Sequence, residues 1–354
     1  MRADWRLARP SQRPICVVMV VFNASAHLPK LLASLRDEGN HPAQIIAIDN
    51  GSTDDSLAIL SAAQDVVWFA QDNTGFAHGV NRGIALSRPD ADILVLNPDV
   101  VLQPGALQTL AGVLDRCPDA GIVAPQLIDE SGAVLPSCRR FPSASRNFVE
   151  AFVGGSRAGR FGEAYTPGAE AHDVDWATGA VLLLRRSMLD RIGGLEEAFF
   201  LYSEETELCD RAKRQGYRSI LEPRASVLHV GGGLGTNPQL WALRAINRSR
   251  RYRASKGPLR GAAFRASAVL FEFRRALMGD PLSPTAIRSL TRKDLDAEAE
   301  RLAVELGGQP EPMREARRTH SQASRNPASN RRGRMPRESV ERSRATNKKK
   351  QGER

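Results

Sequence analysis

Residues 15–54 read ICVVMVVFNASAHLPKLLASLRDEGNHPAQIIAIDNGSTD, and their order decides the fold class. Ile15–Phe22 is a short, Val-rich apolar run, the composition of a strand buried on both faces. Leu28–Leu35 has helical spacing. Gln44–Asp49 is a second strand, and Asp54–Ala63 a second helix. Strands of this kind with helices between them imply a mostly parallel sheet flanked by helices, hence an α/β protein.

The same alternation continues outward. Val66–Ala70 reads as a third strand, Ala77–Ser87 as a helix, and Ile93–Leu96 as a fourth strand. A helix runs from Pro104 to about Arg116, and Ala120–Cys138 carries short strands and turns. Phe141–Asp173 is rich in Gly, Ser, Arg and Pro, and reads as a long flexible loop. Val174–Leu184 returns to strand, and Glu204–Gln215 to a helix stopped by Gly216. Residues 240–280 read as basic and helical. From Gln309 onward apolar periodicity is lost, which predicts a disordered tail. The expected division is an extension over 1–13, an α/β domain over 14–239, a helical extension over 240–308 and a tail over 309–354.

The formal charge of +10 over 354 residues hides an uneven distribution. Residues 1–239 hold 22 Lys and Arg against 28 Asp and Glu, a net of −6. Residues 240–280 are net +8, and residues 309–354 net +9. An enzyme of nucleic acids carries its positive charge on the folded face that works, so no specific nucleic-acid partner is expected. The four cysteines form no Cys-x-x-Cys pair, which points away from zinc and from a disulfide framework. No secretory leader and no spanning helix are legible, so a cytoplasmic protein is expected. Within Ala262–Met278, Arg265, Glu272 and Arg275 share one helical face, with Ala266, Val269, Phe273 and Leu277 toward the other. Such a helix and the basic tail predict either peripheral contact with an anionic membrane, on its inner face, or simple packing on the domain.

Ligands of a parallel sheet bind at the carboxyl ends of its strands, and five motifs fall at such places. Asp49-Asn50-Gly51-Ser52-Thr53-Asp54 reads either as a tight turn capped by Ser52 or Asp54, or as carboxylates offered to a base or ribose. Asn73-Thr74-Gly75-Phe76 opens a helix and offers backbone approach at Gly75, although the Gly-x-Gly-x-x-Gly pattern of a dinucleotide site is absent. In Asn97-Pro98-Asp99 the proline holds Asn97 extended, and an acid there either ends a strand or binds a divalent cation that bridges a diphosphate. Ser203-Glu204-Glu205-Thr206-Glu207 reads as an N-cap followed by carboxylates suited to the helix dipole, or as the seat of a general base. His229-Val230-Gly231-Gly232-Gly233 ends a strand in residues that let backbone move or approach a ligand.

Taken in this order over roughly Cys16–Tyr252, the motifs resemble glycosyltransferase family 2, the inverting transferases of the GT-A fold, and most closely its rhamnosyltransferase-like branch. The resemblance implies that Asp49 and Asn50 touch the nucleotide base, with Ser52 and Asp54 beside them. Asn73, Gly75, Phe76, Asn81 and Asn97 belong with the donor, and Asp99 and His229 hold Mg²⁺ or Mn²⁺. Trp176, Thr178, Gly179 and Glu207 lie on the acceptor side. Glu205 becomes the general base, with Glu204 next to it. Where the family carries aspartate this chain has Glu205 and Glu207, each longer by one methylene.

The implied reaction moves a sugar, rhamnose first, from a dTDP- or UDP-linked donor to a glycan or lipid-linked acceptor in cell-envelope polysaccharide synthesis. A nucleotidyltransferase is the rival within chemistry, but it favours a Gly- and Lys-rich loop where this chain has Asn23–Pro29. A catalytically impaired transferase acting as a scaffold is the rival outside it.

Overall fold

A computed structural model of the chain describes residues 13–38, 41–153, 161–165, 167–230 and 237–309. Strand β1 (Ile15–Val21) is buried along its whole length. It lies parallel to β2 (Gln44–Asp49) on one side and β4 (Asp92–Leu96) on the other, with β3 (Val66–Ala70) parallel beyond β2. Helices α1 (Leu28–Arg36), α2 (Ser56–Ala62) and α3 (Phe76–Leu86) make the crossovers.

Beyond β4 the alternation changes. The chain continues through β5 (Val100–Leu102), α4 (Ala106–Arg116) and β6 (Ala120–Ile128). Strand β11 (Val181–Leu184) inserts antiparallel between β4 and β6. Strand β12 (Arg218–His229) then lies parallel to β6. Its free edge pairs antiparallel with β9 (His172–Val174) at one end and with β5 at the other. The order is β3-β2-β1-β4-β11-β6-β12-β5. A second, small sheet holds β7 (Cys138–Arg139), β8 (Ala164–Tyr165) and β10 (Trp176–Ala177).

Because side chains alternate along a strand, β1 feeds two cores. Val17, Met19 and Val21 meet Leu28, Leu31 and Leu107 on one face. Cys16, Val18 and Val20 meet Ala77, Val80 and Leu208 on the other. Two glycines of α3 serve this packing. A Cβ at Gly83 would stand 2.3 Å from Val18 Cγ1, and one at Gly79 2.8 Å from Val20 Cγ2. Gly79 therefore lets a helix lie close on the sheet. The α/β class and the parallel sheet flanked by helices are as the sequence predicts.

Helices α6 (Arg186–Ile192) and α7 (Glu204–Arg214) cover the Val18 face. Four more, α8 (Pro238–Lys256), α9 (Pro258–Leu277), α10 (Ser283–Leu290) and α11 (Leu295–Glu305), follow β12. They share a core of Leu243, Ile246, Ala268, Leu290 and Leu302, into which Phe200 inserts. In α9 the charged face turns inward. Glu272 is buried and accepts from Trp241 Nε1 (3.0 Å) and Ser283 Oγ (2.7 Å), and Arg265 donates to the carbonyls of Leu290 and Arg292. Of the apolar side, Val269 packs against this core, while Phe273 and Leu277 are 52% and 74% exposed. Among the described residues no helix is long and apolar enough to cross a membrane.

The reading of Phe141–Asp173 as one long loop needs correction. The segment contains α5 (Ala144–Val153), β8 and most of β9, and α5 packs against α9. Long-range partners impose this order. Arg248 pairs with Glu163, and Glu150 accepts from the Glu163 N–H (2.7 Å). Composition carries no trace of such contacts. The expected tail lies outside the described residues beyond Gln309, as do Gly231, Gly232 and Gly233. Gln309 itself donates its N–H to the Asn73 carbonyl (2.8 Å), so the end of the helical segment returns to the β3–α3 loop.

Candidate active site

The loop after β2 and the loop before α3 are built as one unit. Asp49 is fully buried, and its Oδ2 accepts from the N–H groups of Gly51 (3.1 Å) and Ser52 (3.0 Å). Asn50 donates to the Gly75 carbonyl (3.0 Å) and accepts from Gln71 Nε2 (2.8 Å), which ties the two loops together. Ser52 Oγ and Asp54 receive the N–H groups of Asn23 and Ser25, both at 2.9 Å. Burial opposes ionisation of Asp54, but hydrogen bonds from Ser56 and Ser25 outweigh it and hold the carboxyl well below its usual range. Asp49 Oδ1 is different: it is buried and has no hydrogen-bond partner.

Gly75 has φ +93°, and a Cβ there would meet the Phe200 carbonyl at 2.5 Å. The close approach expected at this glycine is thus made by Phe200, whose carbonyl also accepts from Phe76 N–H (2.9 Å). Asn73 Oδ1 braces Gly75 N–H (3.3 Å). Asn81 donates to the Leu195 carbonyl and to Glu197 Oε1 and accepts from Leu195 N–H, so it anchors the segment leading to α7.

On the far side of β4 the sheet register assembles a different group. Strand β5 pairs with β12 so that Val100 stands opposite His229. The preceding residue, Asp99, is thereby brought to His229, with Nε2 3.3 Å from Oδ2. The Asp99 carbonyl accepts from Val230 N–H (3.0 Å), which fixes the pair. Asp99 Oδ1 is buried without a partner. One carboxylate and one imidazole at this separation, with a buried lone pair left over, suit a divalent cation that takes its remaining ligands from phosphate and water. Among the described residues no group of three His, Cys, Asp or Glu side chains surrounds a cation position.

Helix α7 begins under strain. Tyr202 (φ 68°) and Ser203 (φ 85°) are successive non-glycine residues in the left-handed region, which side chains adopt at a cost. Ser203 occupies the N-cap position but its side chain makes no cap bond. A capping serine needs extended backbone, so the expected cap is replaced by a backbone that aims the first turn. Glu204 Oε2 and Glu205 Oε2 are both buried and without partners. Burial, and then the neighbouring Glu205 charge, push Glu204 well above the ordinary carboxylate range. Burial also raises Glu205, while the charges of Arg139 and Arg244 pull against it. Glu207 is spent elsewhere, paired with Arg211 at 2.6 Å, and Arg211 also donates to the carbonyls of Ile192 and Gly194.

A cavity of about 460 Å³ joins these groups. Of the residues singled out in the sequence, Phe76, Asn97, Asp99, Trp176, Thr178, Gly179, Glu204, Glu205 and His229 line it. Gly179 stands between Phe76 and Glu205, its Cβ position 3.8 Å from the Phe76 ring and 3.9 Å from Glu205 Cβ. Asp49, Asn50, Ser52, Asp54, Asn73, Gly75, Asn81 and Glu207 are not part of that lining. Sequence reasoning missed Arg139, Tyr202 and Arg244, which are. Arg244 was hidden in the basic run of 240–280, where one arginine looks like the next. Its place on the first turns of a helix directly after the His229 loop was the available signal.

The chain is similar to known proteins. The chain is 33% identical over 235 residues to the N-acetylglucosaminyl-diphospho-decaprenol L-rhamnosyltransferase of Mycobacterium tuberculosis, covering 60% of this chain and 75% of that one. It is 27% identical over 228 residues to rhamnosyltransferase WbbL of Escherichia coli, covering 61% and 83%. Residues 16–193, half of the chain and the part that carries β1 to α6, match the family described as glycosyl transferase family 2. With a match over half of its residues, the chain belongs to glycosyl transferase family 2.

Proposed function

We propose that this glycosyltransferase moves a sugar, rhamnose before others, from a thymidine- or uridine-diphosphate donor to a glycan carried on a lipid diphosphate, with inversion. The observation that carries the reading is the cavity in which Asp99 and His229 stand at one part of the wall and Glu204 and Glu205 at another. The mycobacterial relative, an N-acetylglucosaminyl-diphospho-decaprenol L-rhamnosyltransferase, supports the choice of sugar and acceptor.

Each residue has a role that its surroundings suit. Asp49 Oδ1, buried and unpartnered, suits an N–H of the base. Asn50, Ser52, Asp54, Asn73, Gly75 and Asn81 act behind it, by holding the donor loops in shape. Asp99 and His229 would hold Mg²⁺ or Mn²⁺, and a cation there supplies charge neutralisation on the departing diphosphate. Glu205 takes the proton of the acceptor hydroxyl as that oxygen forms its bond to the anomeric carbon and the bond to the diphosphate breaks. A carboxylate raised by burial is a stronger base than one in water. Trp176, Thr178 and Gly179 shape the wall against which sugar and acceptor meet, and Glu207 keeps α7 in place through Arg211.

The purified full chain, given Mn²⁺, a lipid-diphosphate-linked N-acetylglucosamine and a panel of thymidine- and uridine-diphospho sugars, is expected to extend the acceptor by one rhamnose with inverted anomeric configuration. Extension by another sugar changes the donor, and no extension with any donor removes the acceptor class.

A lipid-linked acceptor also asks that the enzyme reach a membrane. The solvent side of α9 presents Leu259, Phe273 and Leu277, followed by Met278, in a segment of net charge +8. Phe152 of the neighbouring α5 is 74% exposed. An apolar stripe amid arginines suits an anionic lipid surface, and we place peripheral contact there rather than on the inward charged face.

A further inference from the structure

The arginines around the cavity divide into two kinds. Most are committed to protein. Arg140 donates to the Gly162 carbonyl, Arg248 pairs with Glu163, and Arg251 lies 3.5 Å from Asp210. Arg139 and Arg244 are not. Among the described residues neither guanidinium has a hydrogen bond or an ion pair, yet both line the cavity. Each is held by an indole instead, Arg139 5.5 Å from the Trp176 ring centroid and Arg244 5.0 Å from that of Trp241.

Glu163 supports the charge of both from nearby, but among the described residues no carboxylate engages either one directly. An arginine kept to anchor a carboxylate engages it through paired N–H groups. Glu205 feels the charge of both arginines, yet its Oε2 has no partner. The two guanidiniums instead line the cavity, close enough that the charge of Arg139 weakens the hold of Arg244 on its proton. Burial pulls Arg244 down to about 10, and the charges of Arg139 and Arg248 add to that. Two partly buried like charges side by side are costly, and an anion between them would offset that cost. Planar, multiply donating guanidinium groups are the usual partners of phosphate oxygens.

We propose that Arg139 and Arg244 seat a phosphate-bearing group of the acceptor, which makes the acceptor an anion close to the hydroxyl that receives the sugar. This rests on the reading that Glu205 faces the acceptor. Arg139 stands on the small sheet opposite Trp176, on the Glu205 side of the cavity. The diphosphate of the donor has its own counter-charge in the cation assigned to Asp99 and His229. The pair therefore answers to a second anion, such as the diphosphate that links a first sugar to its lipid.

Two measurements on the full chain test it. In EDTA, without donor, wild type is expected to bind inorganic pyrophosphate, and the R139Q/R244Q double variant to bind it about tenfold or more weakly. Equal binding by both proteins, or none by wild type, overturns the seat. Transfer is then compared on two acceptors bearing the same sugar, one on a lipid diphosphate and one on a neutral alkyl chain. Wild type is expected to favour the charged acceptor in kcat/KM by about tenfold or more, through KM, and the double variant to lose most of that ratio. Arg139→Lys and Arg244→Lys, which keep the charge, are expected to retain part of it. A ratio unchanged in the double variant, or a defect that appears in the KM of the donor, assigns the pair to other work and overturns the proposal. If wild type extends neither acceptor, the proposed reaction has failed, while the pyrophosphate measurement still decides the seat.

Discussion

In the loops around Asp49–Asp54 and Asn73–Asn81, nearly every polar side chain is matched to protein. Around Asp99, Glu204, Glu205, Arg139 and Arg244, polar atoms are left over. Asp99, like the loops of the first region, follows the carboxyl end of a strand, and in the sequence the acidic positions of the two regions look alike. Asn50 uses both its donor and its acceptor to join two loops, and Asn81 bonds three times to the segment before α7. Asp99 Oδ1, Glu204 Oε2 and Glu205 Oε2 are buried with nothing to bond. A buried polar atom without a partner costs about 1–3 kcal/mol. The second region is therefore kept at a cost to stability, as expected of a place that completes itself with a ligand. Asp49 Oδ1 is the one buried atom of the first region that shares this state.

The contrast predicts opposite signatures for substitutions in the two regions. Glu205→Gln is expected to lower transfer by about 10²–10⁴-fold, the scale of general base catalysis, with donor binding retained. A near wild-type rate would move the base to Glu204. The same carboxyl sets the acid side of the pH profile. Burial raises Glu205 above its ordinary value of 4.5, so the base form, and with it kcat/KM, should rise with pH along a limb displaced upward from that value. Arg244→Gln removes a charge that lowers Glu205 and should shift the limb further up.

Arg211→Met strikes a brace instead. It deprives Glu207 and the carbonyls of Ile192 and Gly194 of their donor. About 2–4 kcal/mol of stability should be lost, seen as a lower Tm, with turnover of the folded enzyme reduced far less than in Glu205→Gln. A loss of turnover as deep as that one would erase the distinction between brace and site. The smallest effect is expected at α9. Phe273→Ser with Leu277→Ser should weaken co-sedimentation with anionic vesicles and leave transfer to a short-chain soluble acceptor intact. Equal sedimentation of variant and wild type would take the membrane contact away from this face.

Local features were legible where one element decides its own structure. Ile15–Val21, Leu28–Arg36 and Gln44–Asp49 announce themselves by periodicity, and Gly216 ends α7 with φ +85° as its position suggests. Features made by distant partners were not. The resemblance names Asp99 and His229 together, but their meeting is made by β5 pairing with β12 in one register, 130 positions apart in sequence. Residues 144–153 form a helix because α9 and Glu163 give it something to hold. Ser203 resembles a cap in sequence, yet its left-handed backbone denies it that bond. Gly75 offers backbone approach in the sequence, but that Phe200 makes one was not legible there.

The buried Oδ1 of Asp99, beside His229, is proposed to serve a nucleotide through a cation. Thermal stability of the full chain with thymidine or uridine diphosphate, with and without Mn²⁺, in wild type and Asp99→Asn, tests this most directly. Wild type should be stabilised by the nucleotide only when Mn²⁺ is present, and Asp99→Asn by neither combination. Equal stabilisation in excess EDTA, or a full Mn²⁺-dependent shift in Asp99→Asn, would contradict it.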